Sequence, residues 1–158
     1  MTSLPLGAVT LTERYLKNDP PTAEEMELLR RAVRDVVEQQ RRLLKTEPPG
    51  AFVGTAGTIT TLAAMDLSMA EYDPEKINGH ILTRETVNEI VRSLRTRTLE
   101  ERRSLPGLER GREDIILAGA VVAQEIMELS GVTTMMVSDG GLREGIVLDL
   151  YERLTRGE

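Results

Sequence analysis

Residues 51–62 read AFVGTAGTITTL. A short apolar run, Ala51, Phe52 and Val53, meets Gly54, Thr55, Ala56, Gly57 and Thr58, and an apolar pattern then continues to Met69. The simplest structure for this stretch is a buried strand that runs through a Gly-rich turn into a helix. Such a turn points several backbone N–H groups outward at a helix N-terminus, beside two threonine hydroxyls. The orphan donors and the helix dipole both favour negative charge there, so the turn is a cradle for phosphate. The plainer reading is a tight turn whose glycines only let the backbone bend. This stretch alone leaves both readings open.

A second stretch repeats the pattern. Thr133 to Val137, TTMMV, reads as another buried strand, and Ser138 to Gly145, SDGGLREG, as another Gly-rich turn. The helix behind it carries Ile146, Val147, Leu150 and Leu154. In open α/β sheets ligands sit beyond the carboxyl ends of the strands, so the turns at Gly54 and Gly140 are expected to face one crevice. Gly140, Gly141 and Arg143 are thereby secondary candidates for holding an anion. Arg143 and Glu144 have a structural reading as well, as a pair with each other.

The third candidate is Glu109 to Asp114, ERGRED. It places Arg110 and Arg112 just ahead of a helix N-terminus, where a cation gains nothing from the dipole. Glu113 and Asp114 suit a first helical turn. Arg112 is placed either to clamp a phosphate in front of that terminus or to pair with a neighbouring acid. His80 stands alone beside Gly79 and reads as a hydrogen-bonded surface residue. No serine has the G-x-S-x-G setting of an acyl-transfer nucleophile, and no Walker-type Gly-Lys-Ser/Thr occurs.

The remainder supplies a scaffold. Ser3 to Thr12 alternates loosely and predicts a strand over Gly7 to Leu11, or one starting at Leu4. Thr22 to Glu25 is a capping box, opening a helix to about Leu44 with Met26, Leu29, Val33, Val36 and Val37 on one face. Its arginines, Arg30, Arg31, Arg34, Arg41 and Arg42, read as a solvated face, and Pro48, Pro49 and Gly50 end it. Tyr72 to His80 reads as loop, Thr83 as the cap of a helix to about Arg97, and Thr98 to Glu101 as a second capping box. The segment from Gly111 to about Gly131 is apolar nearly all round between Ile115 and Ala123, which predicts a central helix. Strands interspersed with helices make a single α/β domain over residues 1–158.

The bulk numbers narrow the function. A chain of 158 residues has room for one sizeable core, and 40% apolar with 29% charged residues is globular composition. A net charge of −6 argues against a non-specific nucleic-acid binder but not against phosphate held by a local cluster of arginine and backbone donors. Without cysteine and with one histidine, thiolate and His-based metal sites are not expected. One Phe, three Tyr and no Trp leave little for base stacking. The longest apolar stretch falls far below the roughly 20 residues a bilayer needs, so no membrane association and a cytoplasmic location are expected.

Taken together, SLPLGAVTLTE, FVGTAGTITTLAAM, the Leu105 to Ile116 pattern and Ser138-Asp139 followed by Gly141-Leu142-Arg143-Glu144-Gly145 resemble the exopolyphosphatase / guanosine pentaphosphate phosphatase family. The resemblance covers nearly the whole chain in order. It implies a two-lobed fold shared with actin and the acetate and sugar kinases, of which this chain is a partial actin-like (ribonuclease H-like) lobe with a mixed sheet of about three strands. It implies hydrolysis of the terminal phosphoanhydride of polyphosphate or of guanosine pentaphosphate, commonly with Mg2+. Carried onto this sequence, it puts Gly54, Thr55, Gly57 and Thr58 in the interlobe cleft and makes Arg112 a contact to phosphate or nucleotide.

The departures are equally definite. The family's Asp-x-Gly-Ser-Asn-type loop, its catalytic glutamate and its Asp-x-Gly-Gly-Gly-Ser-type phosphate loop have no counterpart here, so no catalytic or metal-binding residue is assigned. The resemblance makes this chain most of a second lobe, starting after the phosphate loop and lacking two strands and the whole first lobe. The isolated chain is therefore expected to have no turnover. Its partners are expected to be polyphosphate or guanosine penta- or tetraphosphate, the missing first lobe, and a second copy joined through unpaired strand edges. Two other functions stay open: a non-catalytic nucleotide- or polyphosphate-binding module, and a structural dimerisation domain.

Overall fold

A computed structural model describes residues 3–40 and 51–156. Its organising element is α7 (Ile116–Leu129), whose Ile116, Leu117, Ala118, Ala120, Val121 and Met127 are fully buried. A helix that is apolar all round has no solvent side, so other elements cover it from several directions. Helices α1 (Ala8–Tyr15), α2 (Ala23–Gln39), α3 (Gly57–Asp66) and α5 (Arg84–Arg95) all pack on it.

The amphipathic helices follow their caps. Thr22 accepts from the Glu25 amide, and the Glu25 carboxylate accepts in return from the Thr22 amide at 2.8 Å. Thr83 caps α5, and Thr98 with Glu101 forms a second capping box at α6 (Leu99–Arg102). On α2, Met26, Leu29, Val33 and Val37 are buried at i, i+3, i+7 and i+11. The expected extension of this helix to Leu44 and its stop at Pro48 to Gly50 fall outside the described residues.

The sheet has three strands in the order β1-β3-β2. β1 (Val53–Thr55) lies parallel to β3 (Thr134–Ser138), with Val53 opposite Met136 and Thr55 opposite Ser138. β2 (Ile81–Thr83) is antiparallel to β3, with Ile81 opposite Met136. Period-two alternation puts Leu82, Met135 and Val137 in the core. It puts Val53, Met136 and Ile81 in a row on the other, exposed face.

Several expectations need correction. Ala8 to Tyr15 is helix, not the strand expected over Gly7 to Leu11. The β-branched Val9 and Thr10 favour a strand locally, but Leu11 is buried while Leu6, Tyr15 and Leu16 pack beside the core, a helical spacing. The third strand is instead β2, hidden in a stretch where only Leu82 of three residues is buried. The loop over Tyr72 to His80 contains the single turn α4 (Pro74–Ile77), capped by Asp73 with proline at its start. The last helix, α8 (Leu142–Arg156), forms where expected but buries none of its side chains.

Candidate functional site

Of the expected Gly-rich turn, Gly54 and Thr55 belong to β1 and Gly57 and Thr58 to α3, which leaves Ala56 as the connection; it and the turn after Ser138 leave adjacent parallel strands at the same end, because β1 and β3 run in the same direction. They touch. The Thr55 hydroxyl donates to the Gly140 carbonyl at 2.8 Å, and the Ser138 hydroxyl donates to the same carbonyl at 3.3 Å. The crevice side of the sheet is therefore a pair of stapled turns.

Helix α3 starts in this crevice with Gly57. Its N-cap, Ala56, contributes no side-chain hydrogen bond, so no side chain caps the helix dipole at this end. Ala56 has φ 72° and ψ 170°, a region occupied almost only by glycine. A cation covers the same point. A Cβ built on Gly57 would stand 2.4 Å from Arg112 Nη2 and 2.5 Å from Nη1, so the guanidinium occupies the space a side chain would fill. Arg112 also forms an ion pair with Glu109, and its carbonyl accepts from the Ile116 amide at 2.9 Å to start α7. Arg112 thus pairs with an acid, and its guanidinium lies at the N-terminal end of α3.

The other predicted residues divide. Thr58 turns toward α7, since a Cβ on Gly119 would meet its side-chain oxygen and methyl at 2.7 Å. Its side chain packs against Gly119 of α7 and borders the groove beside β1. Gly54 sits under Met135 and Ile59, where a Cβ would be 2.4 Å from the Met135 sulfur. Its smallness serves strand-to-helix packing. The Gly141 amide donates to Glu144 Oε2 at 2.7 Å, a contact that caps α8. Glu144 titrates below the usual carboxylate range because its own amide and that of Gly141 bond to it, with Arg143 adding attraction. Arg143 therefore lies beside Glu144.

Tyr72 carried no sequence signal, and Asp139 entered only within the Ser138-Asp139 motif. The Tyr72 hydroxyl reaches across to the Asp139 carboxylate in the second turn. Burial pushes the phenol pKa up, and the hydrogen bond to Asp139 pushes it further. Asp139 also takes part through its amide, which donates to Asn78 Oδ1 at 3.3 Å. His80, just ahead of β2, pairs with Asp66 at the end of α3 at 2.7 Å, and its carbonyl accepts from the Val137 amide at 2.8 Å.

Away from the crevice, Arg34 is not simply solvated: its Nε bonds at 2.5 Å to Glu125, which is buried on α7, and Arg30 lies 3.8 Å from the same carboxylate. The hydrogen bond to Glu125 raises the Arg34 pKa. Beside β1 runs an apolar groove of about 290 Å³, lined by Leu6, Phe52, Val122 and Ile126 together with the candidate residues Gly54, Thr55 and Thr58. Its lining is unsuited to an anion.

The chain is 37% identical over 152 residues to exopolyphosphatase 2 of Mycobacterium tuberculosis, a match covering 94% of this chain and 48% of that protein. Exopolyphosphatase 1 of Mycobacterium bovis is 28% identical over 92% of this chain and 42% of its own length. Among solved structures, the Aquifex aeolicus member of the Ppx/GppA protein family superposes with a TM-score of 0.86 at 35% identity. That superposition covers 99% of this chain and 49% of the other. The chain thus spans about half the length of the relatives it matches. The chain is the expected mixed α/β partial lobe with a three-stranded mixed sheet, and it superposes on about half of these actin-like structures. A sequence profile of the Ppx/GppA phosphatase family matches residues 1–154, and the chain belongs to that family.

Proposed function

We propose that this chain is the part of a phosphohydrolase that holds the phosphate chain of inorganic polyphosphate, or of guanosine pentaphosphate, while the terminal phosphoanhydride is cleaved. The observation that carries this is the Arg112 guanidinium set over the uncapped N-terminus of α3 at Gly57. Backbone donors, a helix dipole and a planar cation converge there, and each favours an anion. The names of the curated relatives favour polyphosphate as the substrate.

In this reading Gly57 and Arg112 grip a phosphate oxygen, with Thr55 and Gly140 holding the two turns in register. Binding at this point positions the chain of phosphates and offsets its charge, the two tasks phosphoryl transfer asks of a protein. Mg2+ would add further charge neutralisation. Among the described residues, however, no group of three His, Cys, Asp or Glu side chains is placed to hold a metal. Binding without turnover is the proposed property of this chain by itself.

The test is phosphate release from polyphosphate with Mg2+. The purified chain is expected to release none above background. Turnover by the chain alone overturns the division of labour proposed here.

A further inference from the structure

The segment that carries Arg112 is held by α6 and by the residue that ends it. Arg102, 2% exposed, donates from Nε to the Leu94 carbonyl in the last turn of α5 at 3.0 Å and from Nη1 to the Glu113 carbonyl at 3.1 Å. Arg103, next in the chain, donates from Nε to the Glu113 carboxylate at 3.0 Å and from Nη1 to Glu100 at 2.6 Å. Glu113 is thus tied by its main chain to one arginine and by its side chain to the other, and it directly follows Arg112. The anchor is itself fixed. The Thr98–Glu101 capping box starts α6, and the Asp19 carboxylate accepts from the Leu99 amide at 2.9 Å.

Stability alone does not account for this arrangement. A guanidinium presents several donors, and taking it out of water is costly unless they find acceptors. Burial pulls the Arg102 pKa down, and attraction to Asp19 offsets only part of that. Among the described residues, Arg102 Nη2 and Glu113 Oε2 are both buried with no hydrogen-bond partner. An apolar side chain of similar length would fill the Arg102 site without the buried charge. What the arginine adds is geometry, because donors in a planar fork fix the distance between the end of α5 and the Glu113 peptide. The place of Arg112 depends on that peptide. The segment turns at Gly111, with φ +83°, and the Arg112 carbonyl accepts from the Ile116 amide at 2.9 Å. With the backbone held at Glu113 and at Ile116, the Glu109 ion pair sets the Arg112 side chain against Gly57.

We propose that Arg102 and Arg103 are positioning residues for the anion site: by holding the Glu113 carbonyl and carboxylate, they fix the Arg112 guanidinium where it meets Gly57. The proposal rests on the reading of Arg112 as a phosphate contact. Arg102 acts through the backbone and Arg103 through the Glu113 side chain, and neither touches the ligand.

The experiment is a double-mutant cycle read by titration calorimetry with tripolyphosphate at one ionic strength. Arg102→Met removes the buried charge and keeps the bulk. Arg103→Ala, at a side chain 60% exposed, leaves the core intact. Each is expected to weaken tripolyphosphate binding by about threefold or more in the parent chain, and to cause no further loss in an Arg112→Ala background. In nitrogen–proton correlation spectra, the Nε–H signal that Arg112→Ala removes is expected to shift in both variants. A role confined to stability lowers the melting temperature without either effect. Losses that persist in the Arg112→Ala background overturn the proposal, because the two arginines then act on the anion directly. An unmoved Arg112 signal overturns it as well, and Arg103→Ala decides the matter if Arg102→Met does not fold. Weaker binding in Arg112→Ala with none in the other two variants overturns this proposal alone. Unchanged affinity in Arg112→Ala removes the phosphate-contact reading, and this proposal with it.

Discussion

Arg112 and Gly57 are shape-complementary: the guanidinium lies where a Gly57 side chain would be, with Nη2 2.4 Å from an ideal Cβ. The two residues are 55 positions apart in sequence, and α7 and α3 bring them together. Gly57→Ala meets only the far end of a flexible side chain, so the fold is expected to survive and Arg112 to swing aside. The expected signature is a melting temperature within a few degrees of the parent and affinity for tripolyphosphate lowered several-fold, by loss of one charge-assisted contact. Unchanged affinity by titration calorimetry would show that Arg112 is not a ligand contact.

Ala56 holds backbone angles that suit glycine, at φ 72° and ψ 170°. Strain of this kind costs about 1–3 kcal/mol, and glycine costs about 0.5–1 kcal/mol in unfolded-chain entropy. Ala56→Gly is therefore expected to stabilise the protein by about 1 kcal/mol, read as a rise of a few degrees in thermal melting. A fall in melting temperature would mean the turn is not strained.

Gly107 tests a different use of glycine. With φ +78°, it also sits so close to the end of α3 that a Cβ would be 2.1 Å from the Ala64 carbonyl oxygen. Backbone cannot yield as a side chain can. Gly107→Ala is expected to cost about 3–4 kcal/mol, combining overpacking with a disfavoured φ. Gly79→Ala, at φ +83° with no atom within 4 Å of the new Cβ, isolates the backbone part and is expected to cost about 1 kcal/mol. Equal losses at the two positions in denaturant melts would remove the packing argument.

These glycines show what the sequence made legible. Two apolar runs each ending in a Gly-rich turn were enough to locate β1 and β3 and to set their turns at one end, although β1 takes in Gly54 and Thr55, which the sequence pattern assigned to the turn. The capping residues Thr22, Thr83 and Thr98 marked helix starts for the same local reason. What could not be read was set by distant contacts. Val9 and Thr10 look like strand until Leu11 finds α7; β2 has only Leu82 as an inward residue; Tyr72 and Asp139 meet across 67 positions with no spacing to announce it.

Glu25 gives the pH dependence. Burial alone would raise its pKa, but hydrogen bonds from the amides of Thr22, Lys17 and Asn18 and from the Asn18 side chain bring it below the usual range. A lowered folded-state pKa means the unfolded chain binds the proton more readily. The stability Glu25 contributes is complete above the ordinary glutamate range and is lost as pH falls through the folded-state value. Glu25→Gln is expected to cost about 1 kcal/mol at neutral pH, the size of a lost cap, and to flatten the acid limb of the stability curve. An acid limb identical to that of the parent would assign the loss to other carboxylates.

The most direct test of the account is titration of long-chain polyphosphate into the parent chain and into Arg112→Ala, at matched ionic strength. The account predicts saturable binding by the parent and at least about tenfold weaker binding by the variant, the equivalent of one charge-assisted hydrogen bond. Equal affinity in the two proteins, with folding intact in both, would contradict it.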